Sequence, residues 1–178
     1  RDVFLLKETI KTTLNLEMAA TEEMLEISKK LLPDYVTLVP EKREEVTTEG
    51  GLDVKSNEKY LKTFVKSLKT SNIKVSAFID PSSEQIKYAK EIGFDYVELH
   101  TGKYACLSGE KQNKELQKII ESTYEANDVG LVVNAGHGLN YLNVKKIASI
   151  NKINELNIGH SIVARALAVG LQQSVREM

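Results

Sequence analysis

Short apolar runs rich in β-branched residues alternate along this chain with longer stretches whose apolar positions follow helical spacing. Runs of the first kind predict strands, and the intervening stretches predict helices. Six strands are predicted, and the fifth begins at Leu131 within the stretch Gly130–Tyr141. The other predicted strands are Leu14–Met18, Tyr35–Val39, Lys74–Ile79, Tyr96–His100 and Glu155–Ile158.

The predicted helices fill the space between these strands. One starts after Thr21, whose side chain is a good N-cap, and Pro33 ends it. A polar loop is predicted through Cys106 and Gly109. The remaining helices are predicted from Val3 to about Thr13, from Asn57 through Leu68, from Asp80 to Gly93, from about Glu110 to Asn127, from Asn143 to Ile150, and from Ile162 to Leu171.

Six consecutive strand-helix units predict a parallel α/β sheet, either doubly wound or closed as a (β/α)8 TIM barrel with extra helices. Polar side chains follow nearly every strand, and this spread favours the barrel over the single switch point of an open sheet. A barrel needs eight units and only six are visible. We therefore expect one TIM-barrel domain over residues 1–178, with two N-terminal units of about 50 residues missing from this sequence.

The stretch Gly130–Tyr141 breaks from an apolar run into a turn at Gly136-His137-Gly138. The chain's three histidines, His100, His137 and His160, all directly follow predicted strands. Glycines beside two of them let backbone N–H groups approach a ligand, and the start of the last helix adds a positive dipole. A phosphorylated small molecule is the ligand that this pattern predicts, with its phosphate near Gly159 and His160.

Glu17 and Glu98 place carboxylates inside otherwise apolar strands, where burial is costly without a partner or a function. The first interpretation is acid/base chemistry, with buried carboxylates of raised pKa facing a histidine. A salt bridge that closes the barrel end is the structural alternative. A divalent-metal site is a third, less supported alternative, because the spacing matches no metal motif.

The segment Pro40–Asp53 has no hydrophobic periodicity and is rich in charge. It is either a solvated surface loop or a lid over the site, and the lid interpretation is favoured by its length. Gly50 and Gly51 provide a hinge, and Thr47 offers a hydroxyl to a ligand.

Composition narrows the function further. The 178 residues carry 24 basic and 25 acidic side chains, a net charge of -1, which gives no nucleic-acid footprint. No apolar run approaches the roughly 18 residues of a membrane span. One cysteine, Cys106, excludes an internal disulfide and predicts a cytoplasmic protein.

Long motifs in the chain resemble the pyridoxine 5′-phosphate synthase family of bacterial vitamin B6 biosynthesis. The motifs are Asn15–Ala19, Leu38–Val54, Glu98–Gly102, Val133–Leu139 and Glu155–His160. The resemblance implies a (β/α)8 barrel that condenses 1-deoxy-D-xylulose 5-phosphate with 3-amino-2-oxopropyl phosphate. The implied products are pyridoxine 5′-phosphate, phosphate and water, with no metal or organic cofactor, in a cytoplasmic homo-octamer.

The resemblance also implies roles for individual residues. Glu17 would be an acid/base residue, His137 a proton donor and Glu98 a transition-state stabiliser. Thr47 would contact substrate, and phosphate would be held by Gly138, Gly159 and His160. The family's Asn-x-Asp-His segment and a His and Arg cluster on its first two strands have no counterpart here. Two alternatives remain open: another phosphate-binding TIM-barrel epimerase or lyase, or a catalytically incomplete fragment or scaffold.

Overall fold

Six strands, each paired in parallel with the next along the chain, form the sheet in a computed structural model that describes residues 1–40 and 50–178. Their order in the sheet is therefore their order in the sequence, as in a singly wound barrel. The strands are β1 (Asn15–Ala19), β2 (Tyr35–Val39), β3 (Lys74–Ile79), β4 (Tyr96–His100), β5 (Val132–Gly136) and β6 (Ile153–Asn157).

Helices occupy most of the intervals between strands in the part of the chain described. They are α1 (Asp2–Thr9), α2 (Glu22–Leu31), α3 (Glu58–Thr70), α4 (Ser83–Ile92), α5 (Gly102–Cys106), α6 (Gly109–Asp128), α7 (Val144–Ala148), α8 (His160–Val169) and α9 (Leu171–Glu177). Thr21 caps α2 through its side chain, as predicted, by accepting a hydrogen bond from the Met24 N–H.

The observed helices differ from the predicted ones in three places. The first helix ends at Thr9 rather than near Thr13. A short helix, α5, occupies part of the predicted polar loop, because Tyr104 supplies a fully buried anchor there. The predicted last helix is divided at Gly170, whose backbone takes a positive φ of 82° that an α-helix cannot continue.

Alternation along the strands separates two faces of the sheet, with one irregularity in the register of β5 with β6 between Val133 and Asn134. The side chains that face the helices are apolar and buried in one continuous core, and they include Val36, Leu38, Val75, Ala77, Val97, Leu99, Val133 and Ala135. The alternate positions are mainly polar, and the strand register aligns them in rows across the sheet: Glu17 beside Thr37, Phe78 beside Glu98, and Glu98 beside Asn134. The sheet therefore has a polar interior face on the side away from the helices.

The sheet curls around that polar face. Tyr35 of β2 donates a hydrogen bond to Glu155 of β6, four strands away along the sheet. The Tyr35 ring also stacks on Tyr96 of β4, with 5.1 Å between ring centroids. A flat sheet would keep these side chains far apart, since neighbouring strands are about 4.8 Å apart. The six units thus form a partial TIM barrel, which confirms the predicted fold class.

No helix among residues 1–40 and 50–178 is long and apolar enough to cross a membrane. Cys106 is a free, exposed thiol.

Candidate active site

A cavity of about 1110 Å³ opens where the strands end at their carboxyl termini. Six of the seven residues predicted for the site contribute to its wall, namely Glu17, Glu98, His137, Gly138, Gly159 and His160. The seventh, Thr47, lies among residues 41–49, outside the described residues, as does most of the predicted lid. The ends of that segment, Pro40 and Gly50-Gly51, do line the cavity.

Glu98 is the buried carboxyl group of the site, with 3% of its surface exposed. Its pKa is raised to about 7, chiefly by burial and to a smaller extent by the nearby charges of Glu17 and Glu155. One interaction opposes them: the Asn157 side-chain amide donates a hydrogen bond of 2.6 Å to Glu98 Oε2. A carboxyl group with this pKa can hold or release a proton at neutral pH.

Glu17 faces the same cavity but is exposed. The expectation that both carboxylates are buried is therefore right for Glu98 and wrong for Glu17. The difference arises because β1 is an edge of the sheet in the part of the chain described, so its inward side chain has a strand on one side only. Glu17 acts on Glu98 through its charge across the interior.

The backbone after β5 turns sharply at His137. His137 has φ of 79° and Gly138 has φ of 75°, so a non-glycine residue occupies the left-handed region. Thr101 holds this turn from β4: its hydroxyl lies 2.7 Å from the Gly136 carbonyl oxygen and 2.6 Å from the His137 carbonyl oxygen. The predicted turn is thus confirmed, and the buried Thr101 offsets its strain.

Gly136 and Gly138 permit close packing around that turn. A Cβ atom on Gly136 would collide with Glu98 Oε1, and one on Gly138 would lie 2.8 Å from the Ala105 Cβ. Only glycine fits at either position without displacing its neighbour. Close contact with Glu98 and Ala105 therefore explains why both positions are glycine better than the sharp backbone turn alone does.

Two of the three histidines pack together. The rings of His100 and His137 meet edge to face with 5.2 Å between centroids, and Phe78 packs against His100 at 5.0 Å. His100 Nδ1 lies 2.9 Å from Asp80 Oδ1. The hydrogen bond with His100 lowers the pKa of Asp80, and burial raises it. The hydrogen bond has the larger effect, so the pKa of Asp80 lies below its usual value.

The beginning of α8 forms another part of the cavity wall. Gly159 is the N-cap and His160 the first helical residue; both are exposed to the cavity, and within the described part of the chain no side chain caps the helix. Ser161 ties this helix to the loop after β5 by donating a hydrogen bond to the Leu139 carbonyl. The first N–H groups of α8 and its dipole can therefore receive an anion here.

Sequence reasoning missed Asp80 and Asn157. The sequence pattern predicts Asp80 only as part of a helix start and Asn157 only as a strand residue. Both lie at strand ends, and this position could have identified them as candidate site residues. Their partners, His100 for Asp80 and Glu98 for Asn157, are determined by the tertiary fold. Among the described residues, no group of three or more His, Cys, Asp or Glu side chains is arranged to hold a metal ion.

Comparison with known proteins gives a consistent result. The family model described as pyridoxal phosphate biosynthesis protein PdxJ matches residues 1–178. Relatives named pyridoxine 5′-phosphate synthase are 83% identical in Prochlorococcus marinus strain MIT 9312 and 82% identical in strain AS9601. Each match covers 100% of this chain and 75% of the relative, so the chain spans three quarters of their length.

Solved structures similar to this chain show the fold. KGPDC from Streptococcus mutans matches with a TM-score of 0.65 and 3-hexulose-6-phosphate synthase with a TM-score of 0.69. Each match has 14% sequence identity and covers 98% of this chain and 76% of the other. At that identity the likeness concerns the architecture alone.

Proposed function

The chain belongs to the PdxJ family of pyridoxal phosphate biosynthesis proteins, a family of enzymes, and from that premise we propose a specific reaction for its cavity. The substrates are 1-deoxy-D-xylulose 5-phosphate and 3-amino-2-oxopropyl phosphate, and the products are pyridoxine 5′-phosphate, inorganic phosphate and water. The observation that carries the proposal is the joint placement of Glu98, Glu17 and His137 around one cavity.

Glu98 is suited to respond to charge that develops during the reaction. In its ionised form it stabilises a cationic transition state, and a pKa of about 7 leaves much of it ionised at neutral pH. Glu17, exposed to the cavity, serves as the acid/base group of the ring-closing steps.

His137 serves as the proton donor that helps phosphate leave. Its ring lines the cavity on a turn that is held by Thr101, so its position is fixed before substrate binds. Condensation of an amine with a ketone, loss of water and loss of phosphate each need a proton delivered or removed. Several acids of different strength around one cavity meet that need.

The substrate phosphate is placed at the start of α8. Gly138, Gly159 and His160 line that part of the cavity, and no atom of residues 1–40 or 50–178 lies within 4 Å of where a Gly159 Cβ would be. Backbone N–H groups there can approach phosphate oxygens closely. Thr47 would contact substrate from the segment between Pro40 and Gly50.

The test is turnover by the full-length protein with both phosphates. Pyridoxine 5′-phosphate, followed by its absorbance, should form together with inorganic phosphate in a fixed ratio, and omission of the amino-ketone should abolish both. Conversion of the pentose phosphate alone would instead identify an epimerase or lyase. Complete inactivity of a folded protein would favour the scaffold alternative.

We propose that the protein works in the cytoplasm as a homo-octamer, as the family resemblance implies. Light scattering on the full-length protein would give the number of subunits. A monomer at micromolar concentration would contradict this part of the proposal.

A further inference from the structure

Asp80 and His100 are joined at the edge of the cavity, and the function proposed above gives neither of them a role. His100 is the last residue of β4, its side chain is 3% exposed, and Asp80 follows the last residue of β3. The strand register brings these ends side by side, and the Asp80 carboxylate lies 2.9 Å from His100 Nδ1.

The contact fixes which nitrogen of His100 carries the hydrogen. The pKa of Asp80 is lowered, chiefly by its bond to His100, so its carboxylate is ionised at neutral pH and can only accept. Nδ1 therefore donates. Nε2, the other ring nitrogen, is buried with no hydrogen-bond partner among residues 1–40 and 50–178.

His100 lines the cavity, but its Nε2 is buried and its ring packs on its neighbours. A Cβ on Gly102 would lie 3.0 Å from His137 Cδ2 and closer still to His100 Nε2, so the glycine allows both rings to pack against the backbone of α5. The His100 ring meets the His137 ring edge to face at 5.2 Å. His100 thus acts through His137 rather than on the reacting atoms.

We propose that Asp80 and His100 are a positioning pair for His137: Asp80 fixes the His100 ring, and that ring holds the His137 imidazole in its orientation towards the cavity. The inference rests on the proposed function, because it takes His137 as the proton donor. It adds to the part played by Thr101, which fixes only the backbone of His137.

Other ionisable side chains also line the cavity. Glu98 comes from β4, Glu17 from β1 and His160 from α8. Lys103 of α5 acts electrostatically on Asp80 but is 66% exposed and paired with Glu115. A test of the pair must therefore remove the Asp80 charge and leave all of these in place.

Asp80→Asn in the full-length protein is that test, because it keeps the shape and removes the charge. Glu84→Gln is the matched control, since it removes the same charge from an exposed residue of α4 that is paired with Lys55. We expect Asp80→Asn to lower kcat about tenfold with KM within about a factor of two, and Glu84→Gln to change neither.

A second measurement does not depend on turnover. Diethyl pyrocarbonate modifies accessible imidazole nitrogens, so the modification rate of His137 at a fixed pH, followed by peptide mass spectrometry, reports how firmly its ring is held. We expect Asp80→Asn to speed this modification about threefold relative to Glu84→Gln, because a ring that is no longer held in place exposes its nitrogens more often. His100→Asn, which keeps a donor for Asp80 but has no ring edge, should give the same change if Asp80→Asn folds poorly.

The proposal that Asp80 and His100 position His137 is overturned if His137 is modified at the same rate in Asp80→Asn and Glu84→Gln. This holds even if kcat falls in Asp80→Asn, because a loss of kcat alone would indicate only a structural role. If the wild-type protein shows no synthase turnover, the proposed function fails. The modification rates would still decide whether Asp80 and His100 act on His137.

Discussion

The hydrogen bond from Asn157 to Glu98 gives the sharpest test of how the site is tuned. Asn157→Leu removes the donor and nearly keeps the volume, so water does not readily replace the amide. The bond of 2.6 Å is made to a carboxyl group that is 3% exposed, where a hydrogen bond to the charged form is worth about 1.5–3 kcal/mol.

That energy converts directly into a change of pKa. Each pKa unit corresponds to about 1.4 kcal/mol, so the loss of the bond should move the Glu98 pKa from about 7 to between about 8 and 9. Because the bond stabilises the ionised carboxylate, its removal raises the pKa. The ionised fraction at pH 7 should fall from about one half to about one tenth or less.

The assay is the pH dependence of kcat/KM in the full-length protein. Glu98 acts in its ionised form, so the wild-type profile should rise with a midpoint near pH 7, and Asn157→Leu should move that midpoint above pH 8. Asn154→Leu is the control: Asn154 also lies on β6 but donates to Asn134, not to a carboxylate. An unmoved midpoint in Asn157→Leu, or an equal movement in Asn154→Leu, would refute the reasoning.

Three further predictions concern the same region. Glu98→Gln should abolish activity yet stabilise the fold above pH 7 by up to about 3 kcal/mol. The pKa of Glu98 is raised from 4.5 to about 7 in the folded protein, so the stability that this carboxyl group contributes is present below pH 4.5 and is lost as the pH rises through 7. Urea unfolding of both proteins at pH 4.5 and pH 8 measures the difference, and an equal effect of the substitution at both pH values would contradict the prediction. Gly136→Ala should displace Glu98 and cost about 1–3 kcal/mol in urea unfolding, whereas Gly159→Ala, with open space around it, should cost less than half as much. Thr101→Val should reduce kcat and lower the free energy of unfolding by about 1 kcal/mol. Thr123→Val is the control: it removes a similar buried hydrogen bond in α6, so it should lose the same stability but keep the wild-type kcat. Equal kcat values in the two variants would show that Thr101 does not position His137.

Local patterns determined the order and type of the elements. The strands β2, β3 and β4 occupy the residues predicted for them, because each is a short β-branched or aromatic run between clear breaking signals. The failures fall where local signals are weak. Nothing in the residues around Tyr104 indicates a helix until the core into which that ring packs is known.

The sequence by itself also predicted where the candidate site lies, since parallel strands all end at one edge. Glu17 and Glu98 lie within two of these strands, and His137 and His160 follow two others. Only the tertiary structure decided how these groups behave. The curvature of the sheet brings Asn157 to Glu98, and the register of β3 with β4 brings Asp80 to His100. The edge position of β1 in the part of the chain described leaves Glu17 exposed, while Glu98 is buried. A pKa depends on burial and on charges across the interior, which are properties of distance in space and not of spacing along the chain.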